Sequence, residues 1–422
     1  MTMSLHAPTR RELLLASGTL FAWAYLPKVA LAEGRDPRLL VIVLRGALDG
    51  LAAVAPVGDP DWAKLRGDKA LALDGATPAL PLDSMFALNP AMPNLHRLYK
   101  AGAATIVHAA ATPYRERSHF DGQDVLESGL TRPGAVSTGW LNRALAVLEA
   151  AGRANPKARE AFAVGPIAPL VVRGPAPVLS WTPPRLPPAS DDTLMRLLDL
   201  YRHTDPALAR VLEERMGLAA IARAGGMDGK PAQNGQPQPQ PQRPAVAGAQ
   251  VRAYFAESAG TAAKFLARPD GPRVGALAFD GWDTHADEGA VGGRLATLLG
   301  ALDGALAAIE TSMGAAWRET VVAVVTEFGR TARINGTEGT DHGTATVALL
   351  AGGALKGGRV VADWPGLKDA NLHEKRDLKA TTDLRAVLKG LLKDHLRVDD
   401  ASLAAKVFPE SVAVKPMAGL LA

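Results

Sequence analysis

Four short, continuous apolar runs constrain this chain more than any other feature: 38–44, 104–109, 273–279 and 320–326. The run at 38–44 is rich in branched side chains and does not alternate with polar ones. A strand apolar on both faces must be covered on both, which is the condition of a parallel sheet lying between helices. Between the third and fourth runs, Val291, Leu295, Leu298, Leu299, Leu302, Leu306 and Ile309 recur at helical spacing, so this part reads as a strand–helix–strand unit. Residues 95–100 read as a helix closed by Gly102, 346–351 as a further strand and 383–395 as a helix. Dense Asp, Pro and Gly between 58 and 89 mark connecting loops. The expected fold is α/β, with a central mostly parallel sheet flanked by helices.

With 422 residues, 47% of them apolar and 21% charged, the chain can bury a large core, which excludes intrinsic disorder and a small disulfide scaffold. A net charge of only +4, no basic cluster and 5% aromatics argue against a nucleic-acid partner. There is no cysteine, so any metal must be held by imidazole, carboxylate or hydroxyl groups. The Pro/Gln-rich stretch 231–244 can hold neither a helix nor a ladder and reads as a solvated loop. The helical patterns flanking it, 193–216 and 245–267, are expected to form an antiparallel pair. Residues 33–422 then form one domain with an insertion.

Arg10 and Arg11 precede an apolar stretch over 13–26, followed by Ala30 and Ala32. That order is the pattern of a twin-arginine signal peptide, with cleavage expected after Ala32. The stretch is too short to cross a bilayer, so the mature chain is expected to have no stable membrane span. It implies the twin-arginine translocase as a partner during export and a periplasmic or secreted location. A buried or anchoring N-terminal helix is the competing reading.

Chemistry-bearing residues gather where the apolar runs end, the edge at which open α/β sheets place their ligands. Asp49, Asp283, His285, Glu327, Asp341 and His342 supply the carboxylates and imidazoles that one or two divalent metal ions, zinc, manganese or calcium, would require. Ser118 opens a helical stretch and could act as a metal-activated nucleophile, while Arg115, Arg117 and Arg330 could clamp an anion. Each has a plainer reading: Asp49 as a turn residue, Ser118 as a helix cap, Asp283 to His285 as a solvated strand exit, Glu327 as a helix-start carboxylate. His96, His203, His373 and His395 read as surface or core residues.

Five segments, 44–50, 114–121, 280–285, 326–331 and 341–343, resemble in order the motifs of the DUF1501 family, twin-arginine-exported bacterial proteins grouped with the alkaline phosphatase and sulfatase superfamily. The resemblance implies an alkaline phosphatase-like sheet with a two-metal centre at its carboxyl edge. In it Asp49 is the ligand after the first strand, Ser118 the nucleophile, Asp283 and His285 a ligand pair, and His342 a late histidine. Glu327 stands where the superfamily has the first residue of an Asp–His pair, but Phe328 stands in place of the histidine. One metal site is then weakened, or completed by His119 or Asp341. Without cysteine the formylglycine of sulfatases cannot form from that residue. The expected function is an exported metal-dependent hydrolase of a small-molecule or envelope anionic ester, phosphoester ahead of sulfoester. A phosphotransferase of the same fold shares those residues, and a non-catalytic periplasmic binding protein is the alternative.

Overall fold

The computed structural model describes residues 35–151, 161–164, 168–181, 248–269 and 271–422, together with the pair 23–24 and a few positions between 198 and 213. Apart from the pair 23–24, the expected signal peptide and its cleavage point lie outside those residues, as do the Pro/Gln-rich loop and nearly all of the helical pattern at 193–216.

The apolar runs form the central strands: β1 (Arg38–Arg45), β2 (Ala104–Ala111), β5 (Val274–Asp280) and β6 (Thr320–Thr326). With β3 (Ala161–Val164), β4 (Val178–Trp181), β7 (Thr346–Ala351) and β8 (Arg359–Val361), the sheet runs in the order β8-β2-β7-β6-β1-β5-β3-β4. All of these neighbours pair in parallel except at β7, which is antiparallel to both β6 and β2. No helix separates β6 from β7, so the chain turns back beside the strand it has just left.

Two-sided burial follows from the composition of the runs. On one face Leu40, Ile42, Leu44, Leu277 and Val324 pack against α5 (Gly248–Ala267) and α6 (Arg294–Met313). On the other, Leu39, Val41, Val43 and Val325 pack against α4 (Trp140–Ala150) and α7 (Leu384–Asp394). Each such fully buried leucine, isoleucine or valine contributes roughly 1.5–3 kcal/mol of transfer free energy.

The leucines of the helical pattern, Leu295 to Ile309, form the buried side of α6, whereas Val291 lies in the turn before it and is exposed. Segment Arg294–Glu319 is apolar and long enough to cross a membrane, but half of its apolar window is buried inside the protein. Its buried Asp303 accepts hydrogen bonds from the backbone N–H groups of Asn94 and Leu95, capping α2 (Pro93–Lys100) from a neighbouring element. Helix α5 packs against α6. The loop region 58–89 is more structured than expected: it contains helix α1 (Trp62–Arg66) and parts of a small three-stranded sheet.

The carboxyl ends of β1, β2, β5 and β6 point the same way, and the start of antiparallel β7 lies at that same edge. Residues 46–49, 112–119, 281–285, 327–330 and 340–345 are thereby brought together although they are far apart in the chain.

Candidate metal centre

Asp283 leaves the end of β5 and is the hub of the site. Its Oδ1 lies 3.0 Å from His285 Nε2 and 3.3 Å from both His119 Nε2 and His342 Nε2. The two ring nitrogens His285 Nε2 and His342 Nε2 are 2.9 Å apart. His119, the first residue of α3 (His119–Ser128), comes from the loop after β2, and His342 from the loop before β7.

Each imidazole is oriented from behind by a group at its Nδ1. His119 Nδ1 faces Glu327 Oε1 at 2.9 Å, His285 Nδ1 faces Asp341 Oδ1 at 3.3 Å, and His342 Nδ1 faces the Arg117 carbonyl at 2.8 Å. An acceptor at Nδ1 makes that nitrogen the N–H and leaves the lone pair on Nε2 in the neutral ring. In that state the Nε2 atoms of His285 and His342, 2.9 Å apart, and that of His119 all face Asp283 Oδ1, a donor set that a cation could share. His119 Nε2 is buried and, although it pairs with Asp283 Oδ1 at 3.3 Å, makes no hydrogen bond of good geometry. Ligands about 2.0–2.1 Å from an ion lie about 2.9–3.3 Å from one another in octahedral or tetrahedral arrangements, the spacing of Asp283 Oδ1 from the three imidazoles and of His285 from His342. These residues fit a divalent metal ion. Among the described residues, one group of candidate ligands, His119, Asp283 and His342, brings an atom of each within 4.8 Å of the others, and His285 stands beside Asp283 and His342.

Glu327 is fully buried at the end of β6. Besides His119 it accepts hydrogen bonds from Gly46 N at 2.8 Å, Gln123 Nε2 at 3.2 Å and Thr326 Oγ1 at 2.9 Å. Gly46 cannot be replaced without moving this frame: its φ is 118°, and a Cβ there would come within 2.5 Å of Asp283 N. Phe328 stacks on His119 with ring centroids 5.1 Å apart and tilts against His342 at 5.4 Å. The side chain that replaces the expected histidine is thus the apolar floor beneath two of the imidazoles.

Of the expected ligands, Asp283, His285 and His342 come together, while Glu327 and Asp341 stand one step behind, each holding a histidine. Asp49 is not part of the cluster. It is buried, caps the short helix Gly50–Ala53 through Leu51 N and Ala52 N, and takes Arg66 Nη1 at 2.5 Å and Nη2 at 3.0 Å. His119 completes the set, and its signal in the sequence was its place after Ser118 at a helix start.

The arginines are committed elsewhere. Arg330 is buried, donates to Asp283 Oδ1 at 2.7 Å and to Thr340 Oγ1 at 3.1 Å, and Thr340 Oγ1 in turn donates to buried Glu288. Arg117 is paired with Asp377 and Glu374, and Arg115 donates to the carbonyls of Thr112 and Tyr114. Ser118 occupies the N-cap position of α3 without capping it; its backbone N–H donates to the Tyr114 hydroxyl at 3.2 Å.

Electrostatics follow from this packing. Burial alone would raise the Asp283 pKa, but His119, His342 and Arg330 hold it far below the carboxylate range. Asp283 and Glu327 push His119 up to about 9. Burial and nearby Asp49 push Glu288 up to about 7. A histidine with a raised folded pKa stabilises the metal-free protein fully below its unfolded value of 6.5, and that contribution is lost as pH rises through about 9. A metal must displace the same proton, so the signs oppose. Zinc affinity is expected to rise about tenfold per pH unit between 7 and 9, while the metal-free protein loses thermal stability over that range. Chelator competition and thermal unfolding in EDTA measure the two; a zinc affinity flat with pH would contradict the assignment of His119.

The fold and its edge cluster define an α/β protein with a candidate histidine–carboxylate metal site. The chain belongs to the DUF1501 family, described as a protein of unknown function, which matches residues 36–408. No curated protein matches the chain. Two solved structures show limited likeness. One is Ps i-CgsB in complex with k-i-k-neocarrahexaose, at TM-score 0.35 and 12% identity, over 77% of this chain and 68% of that one. The other is the C-terminal periplasmic domain of EptC from Escherichia coli in complex with zinc, at TM-score 0.28 and 10% identity, over 75% of this chain and 73% of that one.

Proposed function

We propose that the protein is an exported, alkaline phosphatase-like hydrolase of an anionic ester, phosphoester ahead of sulfoester, working with one metal ion. The observation that carries this reading is the convergence of three Nε2 atoms and Asp283 Oδ1, each ring oriented from behind. Three imidazoles and one carboxylate favour a transition ion such as zinc or manganese over calcium, which takes oxygen ligands.

A divalent ion there supplies Lewis acidity, lowering the pKa of an oxygen nucleophile and offsetting charge on the ester. Arg330 offsets the charge of Asp283, so the charge of a bound ion is not cancelled by its own carboxylate ligand and remains available to an anion. Ser118, just before His119 and not spent on its helix cap, is the proposed nucleophile. The N-terminal turn of α3, opened by His119 and left without a side-chain cap, would offer backbone N–H groups to an anion. Export through the twin-arginine route, with cleavage after Ala32, places the reaction in the periplasm or outside the cell.

Ser118→Ala is expected to lower kcat on aryl phosphates by at least about a thousandfold without changing metal content. Undiminished turnover would remove Ser118 from the role. A non-catalytic metal-binding protein is the second reading. It is favoured by the pairing of Arg117, Arg330 and Arg115 with groups of the protein itself, and by the nearly fully exposed Phe120 beside His119. Metal-loaded wild type inert toward phosphate and sulfate esters would select it.

A further inference from the structure

His342 is gripped twice by one turn. Arg376 Nη2 donates to the His342 carbonyl at 2.6 Å. The adjacent Asp377, fully buried, accepts from Arg117 Nε at 3.0 Å and Nη2 at 2.8 Å, and Glu374 takes Arg117 Nη2 at 2.5 Å. Arg117 in turn presents its carbonyl to His342 Nδ1 from a left-handed backbone, φ 62°. A residue with a Cβ stays in that conformation only when its surroundings hold it. The turn itself is fixed: His373 and Asp377 exchange backbone hydrogen bonds at 2.9 and 3.0 Å, and Ala332 N donates to the Arg376 carbonyl at 3.0 Å.

We propose that Asp377 is a positioning residue of the metal centre: by holding the Arg117 guanidinium it fixes the left-handed peptide whose carbonyl sets the His342 tautomer and aims Nε2 at the metal. This rests on the metal-centre reading above. An arginine serving as an anion clamp would leave its donors open to the ligand, whereas those of Arg117 reach two carboxylates of one turn. The carbonyl of Arg117, rather than its charge, is what the site uses.

Glycine separates the two roles, because it keeps the carbonyl and tolerates positive φ while lacking the guanidinium. The full chain is made as Arg117→Ala, Arg117→Gly, Asp377→Ala and Asp377→Ala with Arg117→Gly. Zinc affinity is read by chelator competition, the His342 tautomer by ring nitrogen chemical shifts of the metal-free protein, and folding by circular dichroism. Arg117→Ala and Asp377→Ala are expected to weaken zinc about 10–100-fold, the range for groups that orient a ligand. Arg117→Gly is expected to lose no more than about threefold, because the left-handed peptide survives. Asp377→Ala should add nothing in the Arg117→Gly background, and His342 should keep its Nδ1 proton in Arg117→Gly but not in Arg117→Ala. Equal losses in Arg117→Ala and Arg117→Gly, or an undiminished effect of Asp377→Ala in the glycine background, would overturn the proposal. If wild type binds no zinc the metal reading fails, and the ring shifts still decide whether Asp377 and Arg117 set the tautomer.

Discussion

Asp49→Ala is expected to cost about 3–5 kcal/mol of unfolding free energy and to leave metal binding intact. The Arg66 guanidinium is buried and shares both oxygens of Asp49, while its remaining donors reach the carbonyls of Thr331 and Ala332. Removing the carboxylate leaves a buried cation without its counter-charge and strips the cap from the helix at Gly50–Ala53. Denaturant unfolding beside a zinc titration separates the two effects. A variant that kept its stability and lost its metal would return Asp49 to the ligand set.

The second large effect falls on His119. His119→Ala removes the buried Nε2 that faces Asp283 Oδ1, and is expected to weaken zinc by more than about 100-fold, beyond the range for groups behind a ligand. Glu327→Gln leaves that nitrogen in place and changes only the group behind it, so its loss should be about 10–100-fold. The order of the two losses decides which residue touches the metal. Were Glu327→Gln the more damaging, Glu327 would be the ligand and His119 its support.

The sheet was legible because its strands are buried on both faces, so their runs are apolar without alternation, and four such runs became β1, β2, β5 and β6. The reversed direction of β7 has no counterpart in composition; it follows from the missing helix before it. At the site, Asp283, His285 and His342 were legible as ionisable groups beside strand ends. The division between ligands and the groups behind them was not, because it depends on contacts across the fold: Glu327 meets His119, and Asp377 meets Arg117 from a turn late in the chain. Asp49 shows the same limit. Its position after the first strand suits a ligand, but Arg66 comes from a stretch whose Pro, Gly and Asp content reads as loop.

Metal content tests the central claim most directly: elemental analysis of folded wild type, Asp49→Ala and the His119→Ala/Asp283→Ala double variant, each equilibrated with zinc and freed of excess. About one ion per chain in wild type and Asp49→Ala, with none in the folded double variant, is the predicted result. A folded wild type without bound metal, or a double variant that keeps its ion, would contradict a metal centre built on His119, Asp283, His285 and His342.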